Sequence, residues 1–179
     1  MDTNLLHDSR IACHVADIAE GRLDPAAAIE FVSDDAHGGI DVFIGRVRAS
    51  SHGRECVAIH YDMFDPLALT VFRSTAAEAI ERFGPKAKCY VAHARGKLAV
   101  GDLAVVIAFG TPHRDEAFRG CREVIEAVKH QAPIWKQEHF IDGHSEWSEG
   151  CSLCGHDEHG HTHAAGDGHA DAHPASGAV

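Results

Sequence analysis

The chain has 179 residues, a formal net charge of −11 at pH 7, 45% hydrophobic residues and 24% charged residues. This length and composition predict one soluble globular domain with some additional sequence. The acidic excess leaves no broad basic surface to neutralise phosphates, which argues against a nucleic-acid binder or a protein that binds acidic membranes. No apolar stretch approaches the roughly 20 residues that span a bilayer.

The N-terminal region and the cysteines indicate a cytoplasmic protein. Residues 1–20 carry acidic and polar side chains and lack the apolar core of a signal peptide. Four cysteines are scattered singly along the chain, at Cys13, Cys56, Cys89 and Cys121. This distribution is typical of reduced thiols rather than of a disulfide framework.

The composition changes sharply near Gly150. Residues 151–179 contain two cysteines, six histidines and no lysine or arginine, and one leucine and one valine are their only large aliphatic residues. Such a segment buries too little apolar surface to offset the entropy lost on folding. We therefore expect a folded domain over residues 1–150 and a disordered Cys/His-rich tail over residues 151–179.

The first half of the domain is predicted to contain two helices and two strands. Asp24-Pro25 predicts a helix N-cap and first turn before residues 26–31. The apolar, β-branched run at residues 40–44 predicts a strand, and residues 55–61 predict a second strand after a polar loop. Asp65-Pro66 indicates another N-cap, for a helix that ends at Gly84-Pro85.

The second half is predicted to contain three strands and one helix. Residues 88–94 and 103–109 have strand character, and the turn between them is expected around Gly96-Lys97. Apolar positions recur at helical spacing over residues 115–130. A last strand follows Pro133. From the strand at residues 40–44 onward the order is β-β-α-β-β-α-β, which favours an α+β domain with an antiparallel sheet and few helices.

Two lysines stand seven residues apart across Pro133. Proline lacks a backbone N–H and disfavours helix at the preceding residue, so the helix is expected to end near Ala132. Lys129 then lies in the last helical turn, and Lys136 lies on the following strand. With His113 and Arg114, these lysines would make a strong local site for an anion.

Several stretches together resemble the large, catalytic subunit of molybdopterin synthase. They follow the order of that family over roughly residues 38–148, and they are Phe43-Ile-Gly-Arg-Val-Arg48, the run from Tyr61 to Leu69, His93-Ala-Arg-Gly-Lys-Leu98, Gly101-Asp102, Pro112-His-Arg-Asp-Glu-Ala-Phe118, Val128-Lys-His-Gln-Ala-Pro-Ile-Trp-Lys-Gln-Glu138, Gly143 and Trp147. Asp102 departs from the more familiar glutamate. Each stretch is weak alone, and their register makes the resemblance specific.

The resemblance implies an α/β-hammerhead-like fold and a sulfur transfer. Members accept sulfur from the C-terminal Gly-Gly thiocarboxylate of a small ubiquitin-like subunit. They place it on cyclic pyranopterin monophosphate and form the dithiolene of molybdopterin. The resemblance further implies a homodimer of large subunits within a heterotetramer, and no cofactor or metal in the domain.

The resemblance also implies roles for particular residues. Lys129 and Lys136 correspond to catalytic positions, with Lys129 next to the thiocarboxylate. The substrate-binding positions are Arg46, Val47, Arg48, His113, Arg114, Gln137 and Glu138. No cysteine nucleophile is needed, because the sulfur arrives on the partner.

The lysines, the arginines and His113 also have a plain structural interpretation. The helix dipole alone favours a lysine near a helix C-terminus, and strand arginines two residues apart are common on solvent-facing edges. His60 and His93 are interpreted as structural residues of apolar strands. Trp135 and Trp147 are interpreted as packing or subunit-contact residues. Only the joint pattern indicates function.

The tail carries a separate signal for metal binding. Two cysteines in a CxxC spacing can share one tetrahedral metal, and nearby histidines can complete its coordination. The candidate ligands are Cys151, Cys154, His156, His159, His161 and His163. We expect adventitious Zn, Ni or Cu binding. The alternative to an enzyme is a metal-binding carrier that acts through this tail, and removing residues 151–179 separates the two.

Overall fold

A computed structural model describes residues 8–148 of the chain. The part described contains three α-helices and a mainly antiparallel sheet, which confirms the predicted α+β class. The helices are α1 (Pro25–Val32), α2 (Asp65–Phe83) and α3 (Arg114–Gln131). The strands are β1 (Ile11–Asp17), β2 (Gly39–Arg46), β3 (Ser50–Ser51), β4 (Arg54–Met63), β5 (Lys88–Ala99), β6 (Leu103–Thr111), β7 (Ile134–Phe140) and β8 (Ser145–Trp147). The predicted tail, residues 151–179, lies outside the described residues.

The helices begin and end close to the predicted positions. Asp24 caps α1, and its Oδ1 accepts a hydrogen bond from the Ala26 backbone N–H at 2.8 Å. The predicted cap of α2 is wrong, because Phe64 occupies the N-cap position and makes no side-chain cap hydrogen bond. Asp65 instead lies in the first turn, where its carboxylate interacts favourably with the helix dipole.

Strand β5 is longer than predicted and does not turn at Gly96-Lys97. It continues to Ala99, and the hairpin turn to β6 lies around Gly101, which has a φ of 92°. Gly96 also has a positive φ, 96°, but it bends the strand rather than ending it. Glycine readily adopts a positive φ, so a glycine in the sequence indicates an irregular backbone. The sequence does not distinguish a bend within a strand from a reversal of the chain.

Strand β5 organises the sheet, whose order is β2-β6-β5-β4-β7-β8. Its first part lies between β6, which is antiparallel, and β1, which is parallel. After Gly96 the same edge of β5 pairs with β4 instead. Strand β1 was not predicted. Because β5 pairs with β1 first and then with β4, strands β4 and β7 lie next to each other past the C-terminal end of β1.

Two hydrophobic cores cover opposite faces of the sheet. Alternate residues of β5 and β6 point to opposite faces, and the two clusters take alternate residues such as Ile107 and Val106. One core packs α2 and α3 on the sheet, and the other includes α1. No helix of residues 8–148 is long and apolar enough to cross a membrane.

Candidate active site

A cleft of about 510 Å³ opens where β2, β4 and β7 meet the C-terminal end of α3. Its apolar lining includes Phe43, Ile59, Val105, Ile125 and Ile134. Its polar lining includes Arg46, Arg48, Ser50, Ser51, Tyr61, His93, Lys129, Lys136, Glu138 and Ser148. The cleft therefore combines an apolar surface with many charged and hydrogen-bonding groups, as small-molecule sites commonly do.

The break at Pro133 brings the two lysines to this cleft. Helix α3 ends at Gln131, and Ala132 is already extended, with φ −73° and ψ 137°. Lys129 thus lies in the last helical turn, as the sequence predicts. Lys136 lies on β7 directly opposite Tyr61 of β4. Both lysine side chains line the same cleft.

Glu138 is a buried carboxylate beside Lys136. Its side chain is 2% exposed, and its Oε1 lies 3.1 Å from the Lys136 Nζ. The Ser51 Oγ donates to the same oxygen at 2.8 Å. Burial raises the pKa of Glu138, but the hydrogen bonds from Ser51 and Lys136 outweigh burial and hold the pKa below its usual value. The carboxylate therefore stays ionised and holds the Lys136 ammonium in place.

His93 and Tyr61 form an uncharged part of the cleft wall. Their rings make an edge-to-face contact, with centroids 5.0 Å apart and planes at 75°. Burial lowers the pKa of His93 to about 4 and raises the pKa of Tyr61 to about 12, so both are neutral near pH 7. From sequence, His93 was predicted to be only a structural residue. The available signal was a single polar side chain within an apolar strand.

The segment around Val47 contributes its arginines but not its valine. Arg46 and Arg48 are exposed and line the cleft, and the Arg46 Nε donates to the Gly101 carbonyl at 3.0 Å. Val47 is only 3% exposed, and its side chain belongs to a hydrophobic core. Gln137 points away from its neighbours Lys136 and Glu138, because side chains alternate along a strand. Its Nε2 reaches the Ser145 Oγ at 3.5 Å.

His113 and Arg114 line a different cleft, at the start of α3, together with Gly38 and Phe118. Lys129 lies 15 or 16 residues further along the same helix. At 1.5 Å per residue, the two ends are separated by about 24 Å. One chain therefore does not bring His113 and Arg114 to the lysines. Their position at a helix N-terminus is itself favourable for an anion.

The histidines, cysteines and acidic residues of the described range do not cluster into a metal site. No group of three histidine, cysteine or acidic residues with metal-binding geometry occurs within residues 8–148, and the candidate ligands of the tail lie beyond them. Cys13, Cys56, Cys89 and Cys121 are free thiols. Burial raises the pKa of Cys13 and of Cys121 to about 12, so neither forms a thiolate near neutral pH.

The charges of the cleft suit anionic ligands. Four cationic side chains, from Arg46, Arg48, Lys129 and Lys136, line it with one carboxylate, that of Glu138. Because the protein is acidic overall, this local cation excess is a specific feature of the cleft. Guanidinium and ammonium groups form strong, charge-assisted hydrogen bonds with phosphate and carboxylate groups.

Comparison with known proteins gives consistent matches. The family model described as MoaE protein matches residues 18–131. A molybdopterin synthase catalytic subunit from Synechococcus elongatus is 43% identical over 141 residues, which cover 79% of this chain and 86% of that protein. The crystal structure of molybdopterin synthase from Staphylococcus aureus aligns with a TM-score of 0.69 and 29% identity, covering 79% of this chain and 98% of that chain.

A further solved structure shares the fold. It is a chain from the protein–protein complex of subunit 1 and 2 of molybdopterin-converting factor from Helicobacter pylori. The TM-score is 0.61, and the alignment covers 80% of this chain and 93% of that chain. At 20% identity this likeness shows the fold alone.

Proposed function

This chain belongs to the MoaE family of molybdopterin synthase catalytic subunits, and we propose that it transfers sulfur to cyclic pyranopterin monophosphate. The sulfur comes from the C-terminal thiocarboxylate of a small ubiquitin-like subunit, and the product is the dithiolene of molybdopterin. The observation that carries this proposal is the convergence of Lys129, Lys136, Arg46 and Arg48 on one cleft. Both reactants are anionic, so these cations are their chemical complements.

The cations divide naturally between the two reactants. Arg46 and Arg48 offer planar guanidinium groups that can bind the substrate phosphate in a bidentate manner. Lys129 holds the thiocarboxylate carbonyl and supplies or removes protons as the C–S bond breaks. Lys136, fixed by the buried Glu138, stabilises the negative charge that develops on the transferring sulfur.

The sulfur donor is a partner protein with a Gly-Gly C-terminus. A glycine tail has no side chains and therefore enters a narrow cleft in an extended conformation without steric conflict. The Helicobacter pylori protein that shares this fold was solved as a complex of two subunits of molybdopterin-converting factor. We propose an analogous complex here, a heterotetramer built on a homodimer of this chain.

His113 and Arg114 join the active site only through the homodimer. They lie about 24 Å from Lys129 along one helix, so both sets contact one substrate only if they come from two copies. A mixed dimer of one Lys129→Ala chain and one Arg114→Ala chain tests this arrangement. Sites shared between copies give the mixed dimer one intact site and about half the wild-type activity. Sites contained within one chain give none.

The direct test is turnover of reconstituted protein. Purified chain is mixed with thiocarboxylated partner and cyclic pyranopterin monophosphate, and the dithiolene product is followed by mass. Lys129→Ala is expected to abolish product while the fold and partner binding persist, because the Lys129 side chain is exposed. Lys86→Ala removes another exposed lysine, outside the cleft, and is the matched control. Normal turnover by Lys129→Ala would contradict the proposal.

The proposed transfer needs no bound cofactor. Lysine and arginine side chains supply the charge and the protons, and the partner supplies the sulfur. Metal that the tail ligands Cys151, Cys154, His156, His159, His161 and His163 take up is adventitious under this proposal. Turnover is therefore expected to be unchanged after dialysis against a strong chelator. Activity that disappears with the metal and returns on its addition would contradict this part of the proposal.

A further inference from the structure

The cleft contains a buried acceptor group that the proposed sulfur transfer does not use. Its exposed cations, such as Arg46 and Arg48, account for the binding of anions. Behind them lies a wall formed by His93, which is 7% exposed, and by Tyr61 and Glu138. Glu138 Oε1 already bonds to Ser51 and Lys136. In contrast, the Nε2 of His93 makes no hydrogen bond within residues 8–148.

The hydrogen bond of His93 determines which nitrogen carries its proton. The Nδ1 lies 2.8 Å from the Ala94 backbone oxygen, which can only accept, so Nδ1 is the donor. The neutral ring then presents a lone pair at Nε2. No hydrogen bond to Nε2 is made within residues 8–148, and Nε2 is not among the fully buried unpartnered side-chain atoms of that range. Because His93 lines the cleft, Nε2 is the ring nitrogen that remains available to a ligand bound there.

The orientation of this lone pair is restrained on both sides. The bond to Ala94 holds one edge of the ring, and the edge-to-face contact with Tyr61 holds its plane. His93 lies on β5 and Tyr61 on β4, and the two strands pair beside this position. A fixed, uncharged acceptor of this kind selects for an N–H donor rather than for an anion.

We infer that His93 is a further substrate-binding residue, whose Nε2 accepts a hydrogen bond from an N–H group of the pterin ring. The inference rests on the proposed function, because it takes the pyranopterin as the ligand. The pterin carries several ring and amino N–H groups, and its phosphate is bound by the cationic side chains. Two chemically different parts of the cleft thus orient the two ends of one substrate.

Two substitutions separate this role from a structural one. In His93→Asn, the side-chain amide lies near the position of Nδ1 and can keep the bond to Ala94, but no atom replaces Nε2. In His93→Gln, the longer side chain places its carbonyl oxygen near the position of Nε2. We expect the Kd for cyclic pyranopterin monophosphate to rise on the order of tenfold to a hundredfold in His93→Asn, because a buried donor loses its acceptor. His93→Gln should stay within about threefold of wild type.

Simpler probes localise the effect within the cleft. A tetrahydropterin without phosphate should bind more weakly to His93→Asn than to wild type, whereas inorganic phosphate should bind equally to both. Arg48→Ala should show the opposite pattern. Equal affinities of His93→Asn and His93→Gln for the phosphate-free pterin would overturn the inference, and so would a loss of phosphate binding in His93→Asn.

A measurement on the wild-type protein keeps the test valid if a variant does not fold. The imidazole ¹⁵N resonance of His93 Nε2, assigned by its absence from His93→Gln or His93→Asn, should move upfield when the tetrahydropterin is added. It should not move with phosphate alone, and an unchanged resonance at saturating pterin would overturn the inference. Wild-type turnover is measured in parallel. Its absence refutes the proposed function, whereas normal turnover with unaffected pterin binding in the variants refutes only the role of His93.

Discussion

Burial of His93 should make the stability of the domain fall as the pH is lowered from 6.5 towards 4. Burial lowers the pKa of this imidazole from 6.5 to about 4 in the folded protein. Between these values the unfolded chain takes up a proton that the folded chain does not, so acid stabilises the unfolded state. The stabilisation from neutral His93 is complete above pH 6.5 and is lost as the pH falls to 4.

The size of the effect follows from the two pKa values. From pH 7 to pH 5, linkage gives a loss of about 2 kcal/mol in the free energy of unfolding from this one group. His93 is nearly fully buried, so solvent screening reduces this figure little. Every other titrating group, including Glu138, is shared with a variant that lacks only the imidazole.

Urea unfolding at pH 7 and pH 5 measures the effect, with the fluorescence of Trp135 and Trp147 as the signal. The comparison is between wild type and His93→Gln, which does not titrate. The free energy of unfolding of the wild type should fall by about 2 kcal/mol more than that of the variant. Equal losses in the two proteins would refute the reasoning that His93 is buried and neutral in the folded state.

Three further predictions concern the cleft, the helix packing and the tail. Lys136→Ala leaves the buried Glu138 carboxylate without its cation and should lower the free energy of unfolding by about 1–3 kcal/mol. Adding Glu138→Gln to this variant should recover part of the lost stability, as measured by thermal unfolding. Gly120→Ala places a methyl group against the Phe109 ring and should cost about 1–3 kcal/mol in urea unfolding, with unchanged stability contradicting the close packing. Deleting residues 151–179 should leave sulfur transfer intact and remove most Zn²⁺ binding in a titration, whereas loss of turnover would favour the metal-carrier alternative.

The local parts of the active site were predictable from the chain. Proline chemistry predicted that α3 ends before Pro133, which places Lys129 in its last turn. The separation of His113 from Lys129 was also within reach, because an 18-residue helix is about 27 Å long. A helix of this length places His113 and Arg114 in a different cleft from the two lysines of the same chain.

Other features depended on contacts between distant segments. Strand β1 is marked only by short, interrupted apolar alternation, and it exists because it pairs in parallel with β5. The glycine of Gly96-Lys97 predicted a turn, but pairing with β4 keeps that part of β5 in the sheet. Local propensity does not encode such partners, so tertiary pairing overrides it.

The family, the α+β class and the cationic residues of the site could be inferred from sequence because they depend on residue type, spacing and local backbone preference. The protonation and orientation of the residues in the cleft wall could not be inferred from sequence. His93 becomes a neutral acceptor only because the fold buries it, directs Nδ1 to Ala94 and places the ring of Tyr61 against it. The hydrogen-bond partner is the neighbouring residue, but the burial that keeps His93 neutral and the Tyr61 ring that orients it come from segments that meet only in the folded chain.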